Sequence, residues 1–524
     1  MTPVDRKGHI VRAAGLMSIA TFISRILGYI KDMILAGIFG ATGTADAFFV
    51  AFRIPNLLRE LFAEGSMSSA FIPVLTEYHT KHGDEEAKRL VRTTFTFILV
   101  FVGLICFTGI IFSPTIVSII APGFIPIASK FNLTVTLTRI MLPFLLFISL
   151  ASLVMGALNT KRVFFIPTLA PAMLNITIII IVLLLVGRMT QPIIAVAIGV
   201  AFGGFVQFAF QIPSFLKNGY SLKFNFDFKN PGLKKMALLI LPATAGMAVA
   251  QINIFVSTIL ASYLSEGSIT YLYYSMRLIQ FPIGIFGVAM GMAVLPTLSE
   301  HSVKGDYKKL RDDFSFSLRL LFFITIPAMS GLIALNEPIV NLLFQRGQFD
   351  YTATLGTSYA LIFYSLGIWS IVGVRVTTSC FYSMQDTKTP VKVAVLSVSV
   401  NILLSVVLMN FLSYKGLALA NSLASWVNIS VLSYLLNKKL GRIEWKRILL
   451  SFIKSIFASF VMGLIGWMLL HGDLWKTTGD TLVKSLLLLS TVFICFIIYL
   501  IITRLFKSDE FYYLYDIIKK RVKK

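Results

Sequence analysis

Runs of about twenty apolar residues, each closed by a polar, Pro- or Gly-containing stretch, recur along the whole chain. A helix of that length crosses the ~30 Å hydrocarbon core of a bilayer. Fourteen such runs are centred near residues 25, 60, 105, 146, 178, 202, 250, 284, 326, 365, 400, 425, 460 and 494. The pattern predicts an all-α polytopic membrane protein with fourteen transmembrane helices. Pro55, Pro143 and Pro282 fall inside runs, which predicts kinked or broken helices that line a cavity or pack on neighbours. The segment FIPVLTEY at 71–78 recurs as VLPTLSEH at 294–301, and Thr160 through Pro167 recurs as Ser383 through Pro390, both at an offset of 223. That offset equals six spans, an even number that preserves orientation. The chain therefore reads as two six-helix lobes related by a parallel repeat, residues 1–220 and 221–440, followed by two further helices and a basic tail in 441–524.

Composition removes the soluble alternatives. Of 524 residues, 56% are hydrophobic and 14% charged, with a mean hydropathy of +0.82, far from the usual soluble balance. The net charge of +23 would suggest nucleic acid in a soluble protein; here its location matters more. With the amino terminus placed in the cytoplasm, 32 of the 47 Lys and Arg fall in the tails and even-numbered connections and 6 in the opposite ones. This is the bias that orients membrane proteins, so both termini are predicted to be cytoplasmic, with no nucleic-acid role. Cys106, Cys380 and Cys495 lie in apolar runs and the five histidines have no paired metal-ligand spacing, which points to neither disulfides nor a metal centre. The amino-terminal apolar stretch contains Arg25 and Lys31 and no small-residue cleavage site, and reads as a retained span. Arg139, Arg319 and Lys454 read as snorkelling cations, Trp445, Trp467 and Trp475 as interface anchors, and the tail FYYLYDIIKKRVKK as a grip on anionic headgroups.

The charges inside spans carry the chemistry. Residues 25–64 hold Arg25, Lys31, Asp32, Asp46, Arg53, Arg59, Glu60 and Glu64. Each costs ~2.5–3.5 kcal/mol at the bilayer centre on insertion scales, so the cluster should face a watery or protein-lined interior. Helical spacing sets Arg53, Glu60 and Glu64 on one face and turns Arg59 a third of a turn away, toward a ligand. Arg53, Glu60 and Asp32 read as ties between helices. Arg277 in the eighth span has no acid close in sequence, and Arg25, Arg59 and Arg277 meeting between lobes would need an anion, for which phosphate fits the guanidinium fork. Arg375, beside the repeated turn, is a secondary cavity candidate with Arg53. No acidic metal pair or nucleophile–base set appears, so a carrier is read in preference to an enzyme.

Long motifs then narrow the class. SRILGYIKD (24–32), TADAFFVAFRIPNLLRELFAEGSMSSAFIPVL (44–75), APGF (121–124), LNTKRVFFIPTLAP (158–171), YYSMRLIQFPIGIFGVAMGMAVLPTLS (273–299), LFQRGQFD (343–350) and FYSMQDTKTPVK (381–392) resemble the MurJ (MviN) family of lipid II flippases along essentially the whole chain. The resemblance implies the two-lobed fold of the multidrug/oligosaccharidyl-lipid/polysaccharide exporter superfamily, residence in the bacterial inner membrane, and action as a monomer. It implies movement of lipid II, an undecaprenyl-diphosphate-linked peptidoglycan precursor, from the cytoplasmic to the periplasmic leaflet; the alternative is another polyprenyl-linked saccharide. Family cavity arginines fall on Arg25, Arg59 and Arg277, with Lys31 replacing a common Arg beside Asp32, and the family's acids fall on Asp46 and Glu64, expected to compete for the arginines and release substrate. Met276 stands where an acid is common. No cofactor is implied. Coupling would come from a monovalent cation or the membrane potential, and the family's sodium site is matched here only by Gln251 and Asn253 in the seventh span and Asp386 near the eleventh.

Overall fold

A computed structural model describes residues 3–60, 65–441 and 443–522, with the side chains of 3–14, 65–69, 241–247, 250, 288–289, 518 and 521–522 left aside. Every regular element among the described residues is helical, as expected where no water is at hand to satisfy backbone N–H and C=O groups. Eleven helices or helix pairs are long and apolar enough to cross a membrane. They coincide with eleven of the fourteen predicted centres. The other three centres, near 25, 60 and 250, fall on helices that do not meet this criterion over their described residues. The chain divides into two compact units, 1–263 and 264–524.

The first unit contains α1 (Pro3–Phe39), α2 (Gly43–Arg59), α3 (Gly65–Lys81), α4 (Asp84–Ile111), α5 (Ser113–Ile120), α6 (Ala128–Met141), α7 (Pro143–Thr160), α8 (Phe165–Leu185), α9 (Ile193–Ala209), α10 (Ile212–Lys217) and α11 (Pro231–Ser262). Pro143 and Pro231 sit in the first turns of α7 and α11, where a missing N–H costs nothing. Helix α1 packs on α8, α2 on α6, and α3 on α7 and α11. The APGF motif follows α5 and closes against the end of α11. A Cβ on Gly123 would lie 2.3 Å from the Ser262 carbonyl oxygen, and the Gly123 amide donates to Ser262 Oγ at 3.1 Å. Only glycine allows that approach.

The second unit contains α12 (Ser268–Pro282), a π-helical turn (Ile283–Gly287), α13 (Val288–Val303), α14 (Tyr307–Ala334), α15 (Asn336–Phe344), α16 (Tyr351–Ser365), α17 (Ile368–Ser383), α18 (Lys388–Leu412), α19 (Tyr414–Leu440), α20 (Trp445–Leu470), α21 (Thr481–Leu505) and α22 (Asp509–Val522). The 223-residue offset runs through the secondary structure. Shifted by it, Asp84–Ile111 lands on Tyr307–Ala334, and each of α1–α9 falls on its counterpart in α11–α19. The repeated turn recurs in backbone detail: Arg162 and Gln385 have φ of 62° and 59°, and Val163 N–H to Leu158 C=O and Asp386 N–H to Phe381 C=O both measure 3.0 Å. A left-handed residue at a helix C-terminus is costly for a non-glycine side chain, so its recurrence at one offset supports a common origin. Symmetry breaks at α11. This counterpart of α1 packs on α3, whereas α1 packs on α8, and the boundary of compact packing falls at 263/264 although span counting places the lobe boundary at 220.

Helices α20–α22 lie outside the repeat and revise three readings of single residues. Arg319 of α14 does not snorkel: its Nη1 pairs with Asp509 at 3.1 Å and with the buried Glu510 at 2.9 Å, while Phe316 meets Tyr513 edge-on at 4.7 Å. The tail helix α22 is thereby docked on α14. Lys454 donates to the Phe506 carbonyl at 2.9 Å, capping the end of α21, a favourable place for a cation. Trp475 is only 3% exposed and so is no interface anchor; its carbonyl accepts from Asn341 Nδ2 at 2.6 Å, and buried Lys484 donates to the Thr477 carbonyl at 2.6 Å. The three cysteines are buried thiols, as expected. Removing the Arg319 guanidinium leaves Glu510 buried without its cation, a loss of about 3–5 kcal/mol for such pairs. Arg319→Ala should therefore lower the melting temperature in detergent and speed proteolysis within 505–522, and adding Glu510→Ala should cost little more. Additive losses in the double variant would contradict a direct coupling.

Candidate functional site

The sequence-predicted charges of the first unit separate into two kinds of site. Lys31 and Asp32 pair at 3.2 Å on α1, with Asp32 fully buried, and Arg25 lies exposed two turns earlier on the same helix. Asp46, in the first turn of α2 and 1% exposed, accepts from Lys130 Nζ at 3.2 Å. Lys130 is itself 7% exposed and sits 4.2 Å from the Phe124 ring centroid. The APGF motif therefore also supplies the aromatic face over which the partner of Asp46 rests. Hydropathy alone puts Lys130 in a polar connection. Eighty-four positions separate it from Asp46, and no local spacing signals the pair.

Between α2 and α11 the polar groups form a ladder. Arg53 Nη1 donates to Thr258 Oγ1 at 3.1 Å, and Gln251 Nε2 donates to Glu60 Oε2 at 2.7 Å. Residues 53 and 60 are seven apart, as are 251 and 258, and their pairing in reverse order means that the two helices run antiparallel with one polar edge each. Asn56 Nδ2 occupies the other oxygen of Glu60 at 3.0 Å. The expectation that Arg53 and Glu60 tie helices together is met, with hydroxyl and amide partners on the seventh predicted span in place of opposite charges. Arg59 lies off this edge. It is about a quarter exposed, and its Nη2 stands 4.0 Å from Glu60 Oε1, a charge pair beyond hydrogen-bonding reach. Glu64 lies outside the described residues.

In the second unit, Arg277 is half-buried on α12, three residues after Tyr274. Tyr274 is buried against Phe344 and Phe349 at ring distances of 4.6 and 5.7 Å, so the YYSMR and LFQRGQFD motifs fix each other and with them the rotation of α12. Arg375 is exposed on α17 and runs along the π-helical turn: a Cβ on Gly287 would come within 3.4 Å of its Cδ. Asp386 does something other than hold sodium. Its Oδ2 accepts from Lys439 at 2.7 Å and from Thr389 Oγ1 at 2.9 Å, and its Oδ1 accepts from the Thr389 amide at 3.0 Å. The Lys439 ammonium, followed by the Thr389 bonds, holds the Asp386 carboxyl down at about 2. A carboxylate already engaged by an ammonium and a helix start does not fit a sodium ligand set, and no cluster of three His, Cys, Asp or Glu occurs among the described residues.

Arg25, Lys31, Asp32, Asp46, Arg53 and Arg59 thus belong to the first compact unit and Arg277, Arg375 and Asp386 to the second. Within the first, the structure joins Lys31 to Asp32, Asp46 to Lys130, and the α2 ladder to α11.

Comparison with known proteins bears on the chain as a whole. Residues 35–505 match the family model described as lipid II flippase MurJ. The chain is 37% identical to a probable lipid II flippase MurJ of Vibrio cholerae over 82% of its own length and 84% of that protein, and 33% identical to a lipid II flippase MurJ of Burkholderia cenocepacia over 89% and 91%. Among solved structures it resembles a lipid II flippase MurJ in an inward closed conformation, with a TM-score of 0.78 at 30% identity over 94% of this chain and 99% of that one. An inward-facing multidrug-resistance MATE transporter of the MOP superfamily shares the fold at a TM-score of 0.67, 13% identity, and coverage of 82% and 98%. The helix order, the 223-residue repeat, the motif contacts and these matches together place the chain in the lipid II flippase MurJ family.

Proposed function

We propose that this chain carries lipid II from the cytoplasmic to the periplasmic leaflet of the bacterial inner membrane by alternating access, as a transporter without catalysis, functional as a monomer with both termini in the cytoplasm. The observation that carries the reading is the family match over 35–505, on a chain whose intramembrane arginines suit a diphosphate. A diphosphate cannot cross hydrocarbon bare, because its ionised oxygens would lose their water. Arg25 and Arg59 from the first unit and Arg277 from the second supply the replacement, with Lys31 and Arg375 adding positive potential. Arg59 suits this role because its side chain is about a quarter exposed and lies off the polar edge that ties α2 to α11; a guanidinium binds phosphate oxygens at ~2.8 Å. The repeat halves 1–220 and 221–440 are read as the rocking lobes, with α11 carried by the first through its bonds to α2, and the prenyl tail follows along 441–524.

Glu64 fits the role of an acid competing for the arginines at release. For Asp46 the same role requires breaking its buried bond to Lys130, and we read Asp46 as a strut that fixes α2 on α6. Coupling draws on a monovalent cation, for which Asp386, engaged by Lys439, is a poor ligand, or on the membrane potential, worth ~2.3 kcal/mol per charge per 100 mV.

Purified protein in vesicles should expose labelled lipid II to an externally added enzyme that modifies its headgroup. No gain over empty vesicles would contradict the reading. Arg25→Ala, Arg59→Ala and Arg277→Ala should each abolish growth of cells depleted of their own flippase at normal expression, and complementation by all three would remove the site assignment. For the strut, Lys130→Met alone should destabilise by about 3–5 kcal/mol, while Lys130→Met with Asp46→Leu should restore most of the melting temperature and retain transport. A stable double variant without transport would return Asp46 to the gating role.

A further inference from the structure

The connection between α10 and α11 runs without helix over 218–230 and carries Phe224, Phe226 and Phe228 at every second position. Its alternate side chains separate, as they do in an extended chain. From the odd positions, the Asn225 side chain donates to Thr93 Oγ1 at 2.8 Å, the Asn225 backbone N–H donates to Thr96 Oγ1 at 2.9 Å, and Asp227 pairs with Arg89 at 3.1 Å. All three partners stand on α4, so the segment is fastened to that helix. From the even positions the three phenyl rings project outward, 61%, 67% and 43% exposed.

The exposed rings belong to a ladder. Phe101 stacks on Phe97 at 5.4 Å, Phe97 meets Phe228 at 6.0 Å, Phe228 meets Phe226 at 6.0 Å, and Phe226 meets Phe224 at 6.3 Å. Beyond Phe101 it continues along α4 through Leu104 and Phe107, which are exposed on a membrane-spanning helix and so suit hydrocarbon. Its other end lies near Arg92, the last charged residue of α4. Thr93 and Thr96, which hold the segment, are one and four residues farther into the span, about 1.5 and 6 Å along the helix axis. At that depth headgroups and water still reach the backbone of a segment outside any helix, whereas deeper in the hydrocarbon they would not. Lys223 and Lys229 flank the rings and are exposed, where anionic headgroups attract a cation. We propose that residues 220–229 form a membrane anchor, with the backbone at headgroup level, Phe224, Phe226 and Phe228 inserted among the acyl chains of the leaflet at the Arg92 end of α4, and Lys223 and Lys229 on anionic headgroups. The bilayer is favoured over a protein partner because the ladder runs unbroken into the lipid-facing stripe of α4. The segment lies at the junction of the two repeat halves, so the anchor holds that junction at one depth. It is separate from the arginines and stands whether or not the chain carries lipid II.

The test uses the full-length protein in vesicles of phosphatidylethanolamine and phosphatidylglycerol, with a nitroxide attached to Phe226→Cys, Phe101→Cys or Glu85→Cys. The three native thiols are buried, and the unsubstituted protein sets the background. Electron paramagnetic resonance compares collisions with oxygen, which partitions into hydrocarbon, and with a water-soluble nickel chelate. The oxygen-to-nickel ratio at 226 should be at least fivefold that at 85 and approach that at 101. Adding Lys223→Glu with Lys229→Glu should lower the ratio at 226 at least twofold and leave that at 101, which reports an intact span, unchanged. Should the reversal disturb 101, Lys223→Gln with Lys229→Gln replaces it. A ratio at 226 equal to that at 85 overturns the anchor and leaves the rings to a partner protein, and a ratio at 226 indifferent to the loss of both lysines overturns their role.

Discussion

The cost of an ion in hydrocarbon governs this structure. Each charge inside a span either finds a partner that repays its desolvation or stands where a ligand can do so. Asp46 and Lys130 show the first outcome in its most complete form: both are buried, they bond at 3.2 Å, and a phenyl face covers the ammonium. Arg319 with Glu510 repeats it at the tail helix. For Arg59 the proposed partner is the substrate phosphate: its side chain is about a quarter exposed, and the oxygens of the adjacent Glu60 carboxylate accept from Asn56 and Gln251.

The same constraint explains why motifs of unlike composition belong together. APGF joins the end of α5 to the end of α11 through Gly123 and lends Phe124 to Lys130. The Gln251–Glu60 and Thr258–Arg53 bonds tie α11 along α2. Helix α11 is the repeat's counterpart of α1, yet its polar edge commits it to the first unit, so the departure from symmetry is written in residues 251 and 258.

What can be read in the chain depends on how local the signal is. Hydropathy runs and the 223-residue offset are carried by consecutive residues, and the structure repeats them down to the φ of Arg162 and Gln385. Seven-residue spacing sets the face shared by Arg53 and Glu60, and the lack of an acid close in sequence singles out Arg277. Partners distant in sequence are another matter. Lys130, Arg319, Lys454 and Trp475 read as connection or interface residues because a cation or indole near a span end is normally met by water or headgroups. Here each meets a carboxylate, a carbonyl or an amide from a helix that hydropathy cannot place beside it. Asp386 likewise reads as an available acid until the fold brings Lys439, fifty-three residues away, against it.

The proposed recognition of a diphosphate by the guanidinium forks of Arg59 and Arg277 would show most directly in the relative affinity of the purified protein for undecaprenyl diphosphate and undecaprenyl monophosphate in nanodiscs. A preference of at least tenfold for the diphosphate, about 1.4 kcal/mol, is predicted, falling toward unity in Arg59→Lys and Arg277→Lys, where charge stays but the fork is lost. Equal affinity for the two lipids in the unsubstituted protein, or a preference untouched by both substitutions, would contradict it.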